Sequence, residues 1–173
     1  MIMIGIGANL ESPDHGPPIT TCTLALEALG AMEVTVVRRS RWYRSLPIPA
    51  SDQPPFINGV IEVATQHDAR ELLFVLHAVE DKFGRRRGVK NAARVLDLDL
   101  LIYNDEISGP GSSVTLPHPR MHERAFVLKP LVELAPDWSH PMFGLDASEL
   151  LARIPPGQIA EPIEFPSPDG APL

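Results

Sequence analysis

The chain has 173 residues, a net charge of −7 and a hydrophobic fraction of 44%, which suits one domain with a real core and excludes a broad basic surface for nucleic acid. Cys22 is the only cysteine, so an intrachain disulfide is excluded and a reducing, cytoplasmic setting is expected. No apolar run reaches the length of a membrane span, and the N-terminus lacks the pattern of a secretory signal.

In chain order, residues 2–8 are expected as a buried strand, Ile2-Met3-Ile4-Gly5-Ile6 at its head. Pro17 and Pro18 suit the opening of a helix whose apolar positions are Ile19, Cys22, Leu26 and Leu29, with Gly30 placed to end it. A second strand is expected from Val34 to about Trp42, then a Pro-rich connection over 45–55 and a third strand around 57–64. Asp68 and Glu71 form a capping box for a helix that buries Leu72, Leu76, Val79 and Phe83. A strand over 95–103 and helices over 125–135 and 146–153 follow. The order strand, helix, strand, strand, helix, strand predicts an α+β, ferredoxin-like βαββαβ core with additional C-terminal helices. Residues 155–173 hold six of the 19 prolines and no Lys or Arg. They are expected as an extended, partly disordered tail outside a domain spanning 1–154.

The most informative stretch is Leu96-Asp97-Leu98-Asp99-Leu100. Strand alternation sends the leucines to a core and both carboxylates to the other face. At roughly 6–7 Å apart, they repel by about 2 kcal/mol at an effective dielectric of 20. A cation compensates such a pair, and carboxylate ligands suit Mg²⁺. Five of the 15 basic residues lie within 84–94, just before this strand. Arginine forks pair with phosphate oxygens while Mg²⁺ bridges them, which is what phosphoryl transfer from a nucleotide requires. Without the arginines, an acidic strand face beside solvent would be the simpler reading.

Gly7-Ala8-Asn9-Leu10, Ser45-Leu46-Pro47, Asp52-Gln53-Pro54 with Phe56 and Asn58, Gly84-Arg85-Arg86-Arg87, Arg94-Val95-Leu96-Asp97-Leu98-Asp99 and Pro117-His118-Pro119-Arg120 follow in this order. Together, over residues 2–136, they resemble the 6-hydroxymethyl-7,8-dihydropterin pyrophosphokinase family of folate biosynthesis, whose fold is ferredoxin-like. The resemblance implies transfer of pyrophosphate from ATP to the pterin hydroxymethyl group, with AMP released. It implies that Asp97 and Asp99 hold two Mg²⁺, one of them also able to accept the hydroxyl proton. It implies catalytic phosphate contacts from Arg85, Arg87 and Arg94, the first two on a mobile loop that closes over ATP. Glu80, His118 and Arg124 join Arg87 and Arg94 at the nucleotide. The pterin is assigned Phe56 and Phe126 as stacking walls, Asn58 at the ring edge, and Ser45, Leu46 and Ile48 from the preceding segment.

Two rivals remain at this stage. A two-metal nucleotidyltransferase also uses paired acids, and a ferredoxin-like ligand-sensing module would leave the charges solvated. Gly5-Ile6-Gly7 lacks the third glycine of a dinucleotide fingerprint, since Leu10 takes that place, and no Walker-type loop is present. A monomer with no nucleic-acid or membrane partner is expected.

Overall fold

The structure, a computed structural model, describes residues 1–85 and 92–164. Its central sheet is built on β1 (Ile2–Ala8), with β4 (Phe56–Ala64) on one side and β5 (Asp97–Tyr103) on the other, both antiparallel to it. The second strand lies on the far side of β4 in two pieces, β2 (Thr35–Arg39) and β3 (Tyr43–Ser45). With α1 (Pro18–Gly30) and α2 (Ala69–Lys82) in the crossovers, this is the ferredoxin-like βαββαβ arrangement that the element order predicts.

The single strand expected from 34 to 42 is thus a correction. The pairing shifts register between Val36 and Arg38. At Ser40 the main-chain N–H still donates to Val60 O, but the Val60 N–H donates to Ser40 Oγ, both at 3.0 Å. A side chain there replaces a ladder carbonyl, and regular pairing resumes only at Tyr43. Gly59 permits the detour, because a Cβ on it would come within 3.0 Å of the Trp42 ring.

The helices start where local chemistry favours them. Pro18 presets the first turn of α1. The Asp68 carboxylate accepts the Glu71 N–H and the Glu71 carboxylate accepts the Asp68 N–H, which opens α2 as expected. The same reciprocal pair, Asp146 and Glu149, opens the short α4 (Ala147–Ala152). Between them, α3 (Ala125–Leu134) has no cap of its own, and the Ala125 N–H donates to the distant Gln158 Oε1 at 2.9 Å.

Both faces of the sheet carry helices. Ile4, Ile6, Leu98 and Leu100 pack against Cys22, Leu29, Leu72, Leu76 and Val79 of α1 and α2. Met3, Val60, Leu101 and Ile102 pack against Leu128, Leu131 and Leu150 of α3 and α4. A register shift between Met3 and Ile4 turns Leu101 and Ile102 toward the same side. Burial of each such leucine contributes about 1.5–3 kcal/mol. The α3–α4 layer covers only the half of its face that carries Met3, Val60 and Leu101. The other half, floored by Gly5 and Gly7, stays open.

Of the Pro-rich residues 155–173, those described, 155–164, are not separate from the fold. Residues Ala160–Pro162 form β8, paired with β3 at the sheet edge, and Ala160 is buried. Between α3 and α4, a small hairpin is made by β6 (Ser139–His140) and β7 (Leu145–Asp146).

Candidate active site

Asp97 and Asp99 stand on the open half of the sheet, opposite Gly7 and Gly5 of β1 respectively, while Leu98 between them is buried on the α1–α2 side. Gly7 in turn lies opposite Asn58 of β4. The row Asp97–Gly7–Asn58 therefore crosses three strands with no side chain in its middle. The result is a cavity of about 320 Å³ with a flat glycine floor, the two aspartates at one end and Asn58 and Ser45 at the other.

The cavity collects most of the residues singled out from the sequence. Ser45, Leu46, Ile48, Phe56, Asn58, Arg94, Asp97, Asp99, Arg124 and Phe126 all line it. Leu46 and Ile48 are 40% and 44% exposed at its rim, apolar surface left open among the described residues. Asn58 Nδ2 donates to Ser45 Oγ at 2.6 Å. The Arg124 guanidinium carbon lies 5.4 Å from the Phe126 ring centre, so the aromatic wall carries a cation on it.

The charges around Asp97 are dense. Arg94 Nη1 donates to Asp97 Oδ2, and Arg85 Nη1 lies 2.9 Å from Asp97 Oδ1. Arg85 also pairs with Glu80, whose Oε1 accepts the Leu98 N–H at 2.7 Å. Glu80 is fully buried and does not line the cavity. It lies on the face of α2 that packs beneath β5, and its carboxylate secures the main chain between the two aspartates. On the other side of the pair, Arg124 Nη1 and His118 Nε2 each lie 3.9 Å from Asp99 Oδ2. His118 Nδ1 accepts the Arg120 N–H at 3.2 Å, so in the neutral ring the proton sits on Nε2, toward Asp99. Arg87 lies outside the described residues, as do Arg86 and Asn91.

Burial, together with the neighbouring Asp99, raises the Asp97 carboxyl above its ordinary pKa, against the lowering effect of Arg94 and Arg85. Burial also lowers the His118 imidazole, with Asp99 opposing and Arg124 and Arg120 adding to the depression, which keeps the ring neutral near pH 7. Asp97 Oδ1 is buried and accepts no hydrogen bond among the described residues. A buried carboxylate next to a second one fits a hard cation. No group of three or more His, Cys, Asp or Glu side chains among the described residues could hold a metal ion. Two carboxylates therefore suit Mg²⁺ that completes its coordination with phosphate oxygens and water.

Three features of the site were not read from the sequence. Gly5 and Gly7 form its floor, Gln53 lines its side, and Asn9 binds two of its walls together from beneath. The glycines had a visible signal, two residues without side chains at alternate positions of a strand. The partners of Asn9 lie 44 to 85 residues away and leave no local pattern.

A half-covered ferredoxin-like sheet that offers paired carboxylates, arginines and an aromatic wall to one cavity defines an enzyme of nucleotide-dependent group transfer. Residues 3–136 match the family model of 7,8-dihydro-6-hydroxymethylpterin-pyrophosphokinase (HPPK). The 2-amino-4-hydroxy-6-hydroxymethyldihydropteridine pyrophosphokinase of Synechocystis sp. is 38% identical over 153 residues, 88% of this chain and 75% of that protein. Its counterpart from Pseudomonas aeruginosa is 37% identical over 154 residues, 89% and 91% of the two chains. The folic acid synthesis protein fol1 of Pneumocystis carinii is 35% identical over 153 residues, and there the match spans only 20% of the longer protein. A crystal structure of HPPK-DHPS in complex with substrates superposes with a TM-score of 0.64 at 13% identity, over 87% of this chain and 42% of that one, and supports the fold. The chain belongs to the HPPK family and is a pyrophosphokinase of folate synthesis.

Proposed function

We propose that the chain transfers the terminal pyrophosphoryl group of ATP to the hydroxymethyl oxygen of 6-hydroxymethyl-7,8-dihydropterin. The new bond joins that oxygen to the β-phosphorus, and the bond from the β-phosphorus to the α,β-bridging oxygen breaks. Its electron pair leaves with AMP, and the hydroxyl proton is released. One observation carries this reading: Asp97 and Asp99 share a single cavity with Phe56, Asn58 and Phe126.

Phe126 and Phe56 are the walls for a flat heteroaromatic ring, and the flat floor at Gly5 and Gly7 admits it edge-on to Asn58 and Ser45. Asp97 and Asp99 would hold two Mg²⁺, which, when bound, neutralise the polyphosphate and lower the pKa of the substrate hydroxyl. Arg94 and Arg124 already face the aspartates and would take phosphate oxygens by their forks. His118, with its proton on Nε2, is a neutral donor to the same region. Arg85 pairs with Asp97 and would turn to phosphate once cations occupy the carboxylates. Arg87 is assigned to the phosphates by the family resemblance. Holding both substrates in line and dry is the main task, because water competes for the pyrophosphoryl group. The buried, free Cys22 is consistent with the cytoplasm. No helix among the described residues is long and apolar enough to cross a membrane.

Chromatography of a reaction with ATP, Mg²⁺ and the pterin tests the proposal. AMP formed one-to-one with the pterin diphosphate is expected, and Asp97→Asn or Asp99→Asn should lower kcat by at least about 100-fold. Free pyrophosphate as product, or near-normal turnover in both variants, would overturn it.

A further inference from the structure

Asn9 follows β1 directly, is 2% exposed and does not line the cavity. Its Oδ1 accepts the Arg94 N–H at 2.7 Å. Its Nδ2 donates to Pro54 O at 3.1 Å and to Gln53 Oε1 at 3.3 Å. Meanwhile its own N–H and that of Leu10 both donate to Arg94 O, at 2.9 and 3.0 Å. Arg94 is therefore gripped at both main-chain groups, and the same side chain reaches across to the segment that ends in Phe56.

These two attachments belong to different halves of the site. Arg94 places its guanidinium on Asp97 at the polyphosphate end. Gln53 and Pro54 close the segment that carries Leu46 and Ile48 and opens β4 at the aromatic end. The polarity of the partners dictates the residue. A main-chain N–H on one side and a main-chain carbonyl on the other require an acceptor and a donor on one planar group. Aspartate would lose both donations and face the Pro54 carbonyl with a charge. Glutamine adds a methylene to a buried link of fixed span.

We infer that Asn9 is a positioning residue that couples the two half-sites, so that filling the nucleotide end orders the aromatic end and the reverse. A rigid strut shared by two binding surfaces lowers the ordering cost of the second ligand once the first is bound. This rests on the two-substrate reading of the cavity.

Calorimetric titration of 6-hydroxymethyl-7,8-dihydropterin, with and without Mg²⁺ and α,β-methylene-ATP, measures the coupling. In the natural chain the analogue should tighten pterin binding about tenfold. In Asn9→Ala and Asn9→Asp the ratio should fall to within about twofold of one. The main-chain bonds to Arg94 O survive in Asn9→Ala. Gln53→Ala removes one link of three and should leave about a threefold ratio, which serves if Asn9→Asp does not fold. Affinities that fall for both ligands with the ratio unchanged would mean a purely structural role and overturn the inference, as would a ratio of one in the natural chain. Failure of the natural chain to bind either ligand would instead overturn the reading of the cavity, and the inference with it.

Discussion

Gly7 and Asn58 face each other across the β1–β4 pair, and a Cβ on Gly7 would lie 2.8 Å from Asn58 Oδ1. That contact is shorter than real Cβ atoms make, so any side chain at Gly7 forces the Asn58 amide away from Ser45. Gly7→Ala should therefore weaken pterin binding about tenfold, as expected for 1–3 kcal/mol of overpacking. Affinity for Mg²⁺ and α,β-methylene-ATP should stay within about twofold, since the atoms nearest that Cβ belong to Asn58 and Ile57 and not to Asp97. Paired calorimetric titrations of the two ligands check both statements.

Phe126 is expected to matter for the pterin far more than for the nucleotide. Phe126→Ala removes the aromatic wall and the surface on which Arg124 rests. Pterin affinity should fall by at least about tenfold, from lost stacking and area. Nucleotide-analogue affinity should change little in the same titrations.

Glu80 is expected to act as a support for β5. Glu80→Ala leaves the buried Leu98 N–H without its acceptor and Arg85 without its buried partner. A loss of about 3 kcal/mol in urea denaturation is expected, as for breaking a buried pair. Glu80→Gln retains an acceptor for Leu98 and should cost less. Equal stability of the Ala variant and the natural chain would refute the role.

Glu133 should shape the acid limb of stability. Burial raises its carboxyl, but the Tyr43 hydroxyl, the Arg41 N–H and the Arg41 guanidinium together lower it below the ordinary 4.5. Burial and the same carboxylate push the Tyr43 phenol up to about 12. A carboxyl depressed in the folded state stabilises above its unfolded pKa, and this is lost as pH falls through the folded value. Urea midpoints measured from pH 6 down to pH 3 should therefore fall less steeply in Glu133→Gln than in the natural chain. Identical slopes below pH 4.5 would contradict the assignment.

Local signals carried far where local physics decides. Alternation around Asp97 and Asp99 located β5 and put both acids on one face, and the Asp68–Glu71 box opened α2 where expected. The break in the second strand had no such signal, because residues 40–42 keep a strand-like composition and only the Ser40 hydroxyl, acting on Val60, interrupts the ladder. Glu80 was legible in part. It lies four residues after Leu76 and three before Phe83, within the apolar arc of α2, and a charge in that arc signals a buried partner. Asn9 was not legible as a strut, since tertiary pairing alone brings Gln53, Pro54 and Arg94 to it. Nor was β8: proline content argues for an extended chain and says nothing of which edge it joins.

The late segment has a mechanical bearing on chemistry far from it in sequence. Gln158 supplies the missing cap of α3 through the Ala125 N–H, and Lys129 of α3 donates to Ala160 O at 2.7 Å. The helix that presents Phe126 is thus moored at two points to residues beyond 154. A protein shortened at 154 would keep both aspartates and yet lose the buttress behind its aromatic wall.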